Sequence, residues 1–274
     1  MIREPDGRKE GNMSIAERPV AIVTGAARGM GRASALALGR AGFNVAANDL
    51  GRLDDVDQLG SLAEELAGIG AGCVIHPLDV SDLAGHAGLF DAAVAAWGRI
   101  DCVLNNAGVS VRKRGDLLDV EVESFDFNLG VNTRAMFFMC QRAAKLMLAQ
   151  GQIGSQHRSI INVTSCNVET LVLTRGEYCV AKAASAMTTK LFALRLAESG
   201  IGVYEIRPGI IETDMTRPVK ANYDSRIADG LVPMRRWGQP EDIASAVVCM
   251  ATGRLPYTVG QPIKVDGGLT IPHF

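Results

Sequence analysis

The chain alternates between short, unbroken apolar runs and longer segments in which apolar residues recur at helical spacing. Unbroken apolar runs are typical of strands that are buried on both faces of a sheet. Strands are predicted at residues 20–24, 44–48, 73–78, 101–104, 159–163, 202–206 and 262–265. Helices are predicted between them, at residues 30–41, 54–67, 82–97, 124–149, 177–198 and 240–250. Every connection is long enough for a crossover between parallel strands.

This alternation predicts an α/β fold: a single Rossmann-type, doubly wound parallel sheet of seven strands with helices on both faces. Residues 18–274 are predicted to form one domain, in which the weakly patterned residues 212–234 form a small lid. Residues 1–17 carry charges of both signs without the apolar core of a secretory signal, so a disordered leader is expected there. Ligands of such sheets bind at the carboxyl ends of the strands, where candidate chemistry is therefore sought.

Composition excludes several classes of function. Hydrophobic residues make up 47% and charged residues 21% of the chain, and the formal net charge of −2 comes without a basic stripe for nucleic acid. No apolar stretch reaches the ~20 residues of a membrane span, so no membrane partner is expected. The six cysteines form no C-x-x-C pair and the histidines lack metal-binding spacing. Reduced thiols, a cytoplasmic location and no metal are the corresponding expectations.

A glycine turn follows the first predicted strand and opens directly into a helix. Its sequence, Gly25-Ala26-Ala27-Arg28-Gly29-Met30-Gly31, has the spacing G-x-x-x-G-x-G. Backbone N–H groups and the positive end of a helix can hold a pyrophosphate, and glycines let the phosphates approach closely. The alternative is an ordinary strand-to-helix loop, but the buried strand before the turn and the helix after it favour a dinucleotide cofactor.

Asp49 closes the second predicted strand, where an acid is expected to bond the adenosine ribose hydroxyls. Its carboxylate would repel a 2′-phosphate, which favours NAD(H) over NADP(H), although Arg28 and Arg52 leave basic groups nearby. A helix cap or a solvated turn is the alternative for Asp49. Asp79 and the run 105–108 close the third and fourth strands, where polar and small residues also occur simply for turn formation.

Ser165, Tyr178 and Lys182 form the constellation with catalytic potential. Ser165 ends the fifth predicted strand, and Tyr178 and Lys182 lie four residues apart on one face of the next helix. A cation beside a phenol favours the phenolate, so Lys182 is expected to lower the pKa of Tyr178 towards the range of an acid–base catalyst. Ser165 would donate a hydrogen bond to a substrate carbonyl. Taken alone, a tyrosine and a lysine at this spacing are more often a half-buried phenol and a solvated amine.

Together these motifs resemble the short-chain dehydrogenase/reductase family, of the branch that contains 3-oxoacyl-acyl-carrier-protein reductases. The likeness runs from about residue 20 to residue 269. It is carried by residues 24–31, 105–108, Asn132, Ser165, Tyr178 with Lys182, Pro208-Gly209 with Thr213, 236–242 and 265–268.

The resemblance implies a role for each matching residue. Tyr178 would donate or accept the proton, Ser165 would orient the carbonyl, and Lys182 would bind the nicotinamide ribose. Asn132 would hold a water that links Lys182 to solvent. It also implies a homotetramer. The cofactor contacts expected are Gly25, Arg28, Gly29, Met30, Gly31, Asp49, Asp79, Val80, Asn105, Ala107, Gly108, Tyr178, Lys182, Pro208, Gly209, Ile211 and Thr213.

The implied activity is NAD(P)-dependent hydride transfer between nicotinamide and a small-molecule carbonyl or secondary alcohol, with an acyl thioester as one possible substrate. Asp49 departs from the NADP-using fatty-acid enzymes, so an NAD-dependent sugar or polyol dehydrogenase stays open. Polar residues in the segments that would close the pocket support this alternative, unless they point to solvent; they are Glu169, Arg175, Glu177, Tyr223 and Arg226. A non-catalytic nucleotide-binding regulator is a distant alternative. A thiol enzyme built on Cys166 or Cys179 would leave Tyr178 and Lys182 unexplained.

Overall fold

The computed structural model describes residues 17–272 and contains one sheet of seven parallel strands. The predicted leader therefore lies, apart from Glu17, outside the described residues. The strand order is β3-β2-β1-β4-β5-β6-β7, which reverses between β1 and β4 and confirms the doubly wound α/β fold. The strands are β1 (Val20–Thr24), β2 (Asn44–Asn48), β3 (Cys73–Ile75), β4 (Cys102–Asn105), β5 (Arg158–Val163), β6 (Ile201–Pro208) and β7 (Pro262–Val265).

Helices cover both faces of the sheet, as the unbroken apolar strands require. Side chains of α1, α2 and α8 share one buried apolar cluster with the sheet, and side chains of α3, α5 and α6 share the other. The helices are α1 (Gly29–Arg40), α2 (Leu53–Gly68), α3 (His86–Trp97), α4 (Val122–Leu129), α5 (Met136–Gln150), α6 (Gly176–Leu196), α7 (Lys220–Ala228) and α8 (Pro240–Ala251). Among residues 17–272, no helix combines the length and apolar character needed to cross a membrane.

The third strand is shorter than predicted and ends at Ile75. Pro77 has no N–H to contribute to a ladder. Beyond the strand, the N–H groups of His76 and Leu78 still donate to backbone carbonyls of the second strand and of Asp49. The side-chain amide of Asn48 adds to this pairing by donating to the carbonyls of His76 and Leu78 at 3.0 Å each. Asp79, which was expected to close this strand, therefore lies four residues beyond its end.

The predicted helix 124–149 is two helices joined by a π-helical segment, Gly130–Ala135. This segment carries Asn132. Its backbone is tied to α6, because the Ser185 hydroxyl donates to the carbonyl of Asn132 at 2.8 Å and the Thr133 hydroxyl donates to the carbonyl of Ala181 at 2.8 Å. π-segments occur frequently at functional sites, but apolar periodicity does not reveal them.

Residues 212–234 contain the helix α7, which the weak apolar pattern did not predict. This helix is held by tertiary contacts rather than by a strong apolar face of its own. The indole N–H of Trp237 donates to Asp224 at 2.7 Å, and Ile227, Val232 and Trp237 form a small buried cluster. Whether the segment acts as a lid over a substrate stays a prediction.

Candidate functional site

The glycine turn between β1 and α1 is tightly folded. Gly25 and Gly29 have φ values of 67° and 54°, a region that favours glycine. A Cβ on Gly31 would lie 1.8 Å from the carbonyl oxygen of Gly25, so only glycine allows α1 to begin this close to the turn. These positions confirm the backbone geometry expected from the spacing of the glycines.

The first turn of α1 fits a pyrophosphate. Arg28 at the N-cap makes no side-chain capping bond, and no acid lies in the first helical turn. The leading N–H groups of a helix need partners and carry partial positive charge, so an uncapped start favours an anion. At Gly29 an added Cβ would meet nothing closer than the Thr213 side chain at 3.4 Å, which leaves the turn open to a phosphate. The residues present therefore fit a dinucleotide.

Asn106 and Thr24 fix the glycine turn against the end of β4, and neither was among the predicted site residues. The Asn106 amide donates to the carbonyls of Thr24 and Gly25 at 2.9 and 3.1 Å. The Thr24 hydroxyl accepts from the N–H groups of Asn106 and Ala107 at 3.0 Å each. The sequence analysis singled out the run 105–108 but did not predict these contacts, which hold the ends of β1 and β4 together.

Asp49 stands beside the glycine turn at the end of β2. Its two carboxylate oxygens accept from the N–H of Ala27 at 2.9 Å and of Leu50 at 2.8 Å. Arg28 points away towards α2, where its guanidinium forms an ion pair with the buried carboxylate of Asp55. Arg28, one of the two basic residues expected near Asp49, is therefore already paired with an acid.

The remaining residues on the adenosine side are placed unequally. Asp79 is exposed and accepts from the N–H and hydroxyl of Ser81, whereas Val80 is buried. The Asn105 amide donates into the core, to Asn162 at 2.8 Å, so its side chain supports the sheet rather than facing the crevice. At Gly108 a Cβ would lie 2.8 Å from Asn132 Oδ1 and 3.4 Å from Lys182 Nζ.

Ser165 and Tyr178 line one cavity of about 310 Å³ at the carboxyl edge of the sheet. Met30 from α1 and residues from the segment after β6 line the same cavity; they are Pro208, Gly209, Ile210, Ile211 and Thr213. The Ser165 hydroxyl accepts from the N–H of Asn167 at 3.1 Å, which fixes it at the end of β5. The structure therefore brings the predicted serine and tyrosine together with the predicted nicotinamide-side residues.

Burial raises the pKa of Tyr178, and hydrogen bonding to Ser165 and the positive charge of Arg175 act in the opposite direction. This differs from the expectation that Lys182 lowers this pKa. The ammonium of Lys182 lies 5.7 Å from the centre of the Tyr178 ring and donates instead to the carbonyl of Val163 at 3.1 Å. Arg175 lies at a similar distance, 5.4 Å from the same ring centre, and its positive charge lowers this pKa, an effect that the sequence did not reveal.

Lys182 and Asn132 are buried and do not line the cavity that contains Tyr178. Burial lowers the pKa of Lys182 to about 8, because an ammonium loses its hydration there. The Asn132 side chain is held by the backbone of Val109, accepting at 3.1 Å and donating at 3.0 Å, and it also donates to Asn128 at 3.2 Å. Asn128 is a second supporting residue that the sequence analysis missed.

Cys166, which follows Ser165 in the chain, is poorly suited to nucleophilic catalysis. Burial raises the pKa of the Cys166 thiol, which disfavours the reactive thiolate. In the described part of the chain, residues 17–272, no cluster of three or more His, Cys, Asp or Glu side chains is placed to hold a metal ion.

Comparison with known proteins assigns the chain to a family. A family model described as enoyl-(acyl carrier protein) reductase matches residues 25–270. The chain is 32% identical to the 2-dehydro-3-deoxy-D-gluconate 5-dehydrogenase of Escherichia coli over 255 residues, which is 92% of this chain and 95% of that protein. The chain belongs to the short-chain dehydrogenase/reductase family. It is an oxidoreductase that acts on alcohol or carbonyl groups.

Two solved structures of this family superpose closely on the chain. One is a 3-oxoacyl-[acyl-carrier protein] reductase from Brucella melitensis in complex with NAD, with a TM-score of 0.89 and 39% identity, covering 94% of this chain and 99% of that one. The other is a putative 2-deoxy-D-gluconate 3-dehydrogenase from Agrobacterium tumefaciens with bound NADP, with a TM-score of 0.80 and 32% identity, covering 92% and 96%.

The lowered pKa of Lys182 predicts how stability depends on pH in this short-chain dehydrogenase/reductase. The folded protein releases this proton near pH 8, whereas the unfolded chain releases it near 10.5. Below pH 8 the folded state carries the full cost of the buried ammonium, and that cost is relieved as the pH rises to 10.5. Relative to Lys182→Met, the free energy of unfolding of the wild type should therefore rise by something on the order of 3 kcal/mol across this window.

Denaturant unfolding of both proteins between pH 7.5 and pH 10 measures this difference. Lys190→Met, which removes an exposed lysine from the same helix, is the control and should stay parallel to the wild type. A gap between wild type and Lys182→Met that does not change with pH would show that Lys182 is hydrated in solution.

Proposed function

We propose that the protein is an NAD-dependent dehydrogenase/reductase in which Tyr178 transfers the proton and Ser165 orients the reacting oxygen. The observation that carries this proposal is the single cavity that joins Ser165 and Tyr178 to Met30 and Ile211 beside the open glycine turn. A nucleotide-binding regulator has no need of a buried tyrosine and serine at such a place. When bound, the nicotinamide supplies or accepts the hydride.

Each side chain has one task in this mechanism. The Ser165 hydroxyl donates to the carbonyl oxygen and holds it near the phenol of Tyr178. In reduction the phenol gives its proton to the developing alkoxide, and in oxidation the phenolate takes the alcohol proton. Lys182 and Asn132 act from behind, where Lys182 would contact the nicotinamide ribose and Asn132 would hold a water on the path of the proton.

The buried environment sets the resting protonation state of Tyr178. Because burial raises its pKa, the tyrosine is a neutral phenol at neutral pH and is ready to act as an acid in reduction. Oxidation requires the phenolate, which needs added positive charge nearby. The cations that stand closest are Arg175, 5.4 Å from the ring centre, and Lys182, at 5.7 Å.

Tyr178→Phe tests the assignment of the proton carrier. Removal of only the phenolic oxygen should lower turnover by roughly 10² to 10⁴ or more, because general acid–base catalysis is lost. Binding of NAD should change little, since the ring still packs in place. A steady-state assay measures turnover, and a fluorescence titration measures the affinity for NAD. Tyr257→Phe, at a fully exposed position, is the control. Near-wild-type turnover of Tyr178→Phe would refute the role.

The charges around the adenosine ribose support NAD over NADP. Asp49 accepts from two backbone N–H groups at the position where the adenosine ribose is proposed to bind, and it forms no ion pair among residues 17–272. Arg28, which could attract a 2′-phosphate, is paired with Asp55 and lies 3.8 Å from Asp214. Arg52 is the remaining basic side chain nearby and is exposed to solvent. A 2′-phosphate would bring about two negative charges towards an uncompensated carboxylate.

Two substitutions separate these contributions. Asp49→Ser should weaken NAD and relieve NADP, shifting the preference by about 1–3 kcal/mol, or roughly ten- to a hundredfold. Asp55→Asn should leave NAD binding nearly unchanged and improve NADP binding, because it frees Arg28. Asp54→Asn, at the exposed neighbouring position on α2, is the control. Titrations of both cofactors give the preference, and tighter binding of NADP than of NAD by the wild type would overturn the proposal.

The substrate that the cavity supports best is a polar, hydroxylated small molecule. Asn167, Arg114 and Arg175 line the cavity together with the apolar side chains of the segment after β6. A 3-oxoacyl thioester is the second candidate, because a 3-oxoacyl-[acyl-carrier protein] reductase is among the similar structures. A cytoplasmic location fits the six cysteines, all of which are free thiols.

The exposed faces of α5 and α6 support a homotetramer. Several large apolar side chains there are not covered by residues 17–272: Met187 and Leu191 are each 54% exposed and Leu194 is 75% exposed. Phe137 stacks edge-on against Phe192, extending this apolar surface between the two helices. The last strand, β7, lies at the edge of the sheet and offers a second contact.

Light scattering at micromolar concentration should return four times the chain mass of 29.1 kDa. Leu191→Glu, in the middle of the exposed face of α6, should lower the mass because a charge would be buried in the interface. The exposed Lys190→Gln on the same helix is the control. A single-chain mass for the wild type would contradict the proposal.

A further inference from the structure

The cavity that contains Ser165 and Tyr178 is strongly asymmetric in charge. Among the described residues, 17–272, its lining includes three arginines, Arg114, Arg175 and Arg226, and no acidic residue. The acids that the sequence placed in the same segments turn elsewhere. Glu169 pairs with Arg207 and Lys264, and Glu177 accepts from the Ser124 hydroxyl at 2.8 Å. A cavity that is lined by positively charged side chains, while the nearby acids are paired elsewhere, is suited to an anionic ligand.

Arg175 is the best positioned of the three cations. Its Nη2 donates to Asn167 Oδ1 at 2.9 Å, and Asn167 is itself fixed by donating to the carbonyl of Thr170 at 2.7 Å. Its guanidinium lies 5.4 Å from the ring centre of Tyr178. The Nε of Arg175 is buried and makes no hydrogen bond within the described structure. Arg175 as a whole is only half-buried and lines the cavity, so a carboxylate would reach the accessible part of its guanidinium and not the buried Nε. The planar fork of a guanidinium is shaped for such a partner.

Arg114 lines the same cavity from a position that is exposed to solvent. Partial burial lowers its pKa, the positive charge of Arg175 lowers it further, and Tyr223 acts in the opposite direction. Two guanidinium groups that repel each other, with no acid of residues 17–272 in the cavity lining, are stabilised when an anion enters. Arg226 is exposed on α7 and lies against the ring of Tyr223, so it would act at longer range.

From this arrangement the structure assigns a substrate class: a hydroxy acid or oxo acid whose carboxylate binds Arg175 and Arg114 while its alcohol or carbonyl group meets Tyr178. The assignment rests on the proposed function. The short distance from Arg175 to Tyr178 requires the anion to lie only a few bonds from the reacting carbon. The phosphate of a carrier-bound thioester lies far along the pantetheine arm, so it does not satisfy this requirement.

Matched pairs of probes test the assignment on the full-length protein saturated with NAD. Gluconate is compared with glucitol, and 3-hydroxybutanoate with its carboxamide, by calorimetric binding and by turnover. Each carboxylate should be favoured over its neutral partner by roughly tenfold or more, as for other charged hydrogen bonds. Acetoacetyl coenzyme A, whose phosphates are the other source of an anion in the ligand, is assayed with NADH instead of NAD, because its 3-oxo group has to be reduced.

Substitutions then locate the anion site. Arg175→Gln should abolish most of the preference for the carboxylate, Arg175→Lys should keep part of it, and Arg114→Gln should reduce it. Lys113→Gln removes an exposed cation next to Arg114 that does not line the cavity, and should leave the preference unchanged. Because Arg175 also influences Tyr178, a purely catalytic effect would lower turnover of both members of a pair equally. Only the ratio between them reports the anion site.

The outcomes separate this inference from the proposed function. Turnover with carboxylates and neutral partners within about threefold of each other would overturn the anion site and leave the dehydrogenase intact. Turnover of the thioester alone, unaffected by Arg175→Gln, would do the same. Carboxylate binding that depends on Arg175 without any turnover of the probes or the thioester would support the site and count against the dehydrogenase. Absence of any difference in binding would overturn the site.

Discussion

Seven parallel strands end at one edge of the sheet, and this constraint shapes everything that happens there. The loops after the strands must satisfy their own backbone groups, because no further strand is present to pair with them. Short polar side chains do so: Thr24 and Asn106 join the first and fourth strand ends, and Asn48 extends the pairing of the second and third. The same contacts make the edge rigid enough to hold a cofactor and a substrate in register.

The reversal of strand order between β1 and β4 opens the crevice at which these loops meet. The glycine turn lies on one side of it, and Gly108 lies on the other with Asn132 and Lys182 directly behind. Glycine is required at Gly31 and Gly108 for a shared reason: each faces an atom that a Cβ would approach within 2.8 Å or less. The backbone and the functional groups can lie this close together in the crevice only because glycine has no side chain.

The fold followed from the sequence, and so did the meeting of Ser165 and Tyr178 in one cavity, because both depend on local signals. Unbroken apolar runs marked the strands, and residues at their carboxyl ends fell at one edge as parallel topology demands. The π-helical segment around Asn132 and the helix α7 were missed, since the first interrupts a pattern that still looks helical and the second depends on Asp224 and Trp237. The sequence also could not predict where the charged side chains point. The orientations of Arg28 and Arg175 depend on contacts with Asp55 and Asn167, which no periodicity in the sequence indicates.

Burial shifts the pKa values of Tyr178 and Lys182 in opposite directions, but it favours the neutral form of both side chains. It raises the pKa of Tyr178 and lowers that of Lys182 to about 8, so both neutral forms gain relative to their charged forms. A neutral phenol suits reduction, whereas oxidation needs a negative phenolate beside retained positive charge. Arg175 supplies a positive charge that desolvation does not remove, because a guanidinium stays protonated in proteins. An anion bound to Arg175 would offset that charge, which would raise the pKa of Tyr178 further and favour the phenol. The residue that recognises the substrate would in this way also bias the direction in which the proton moves.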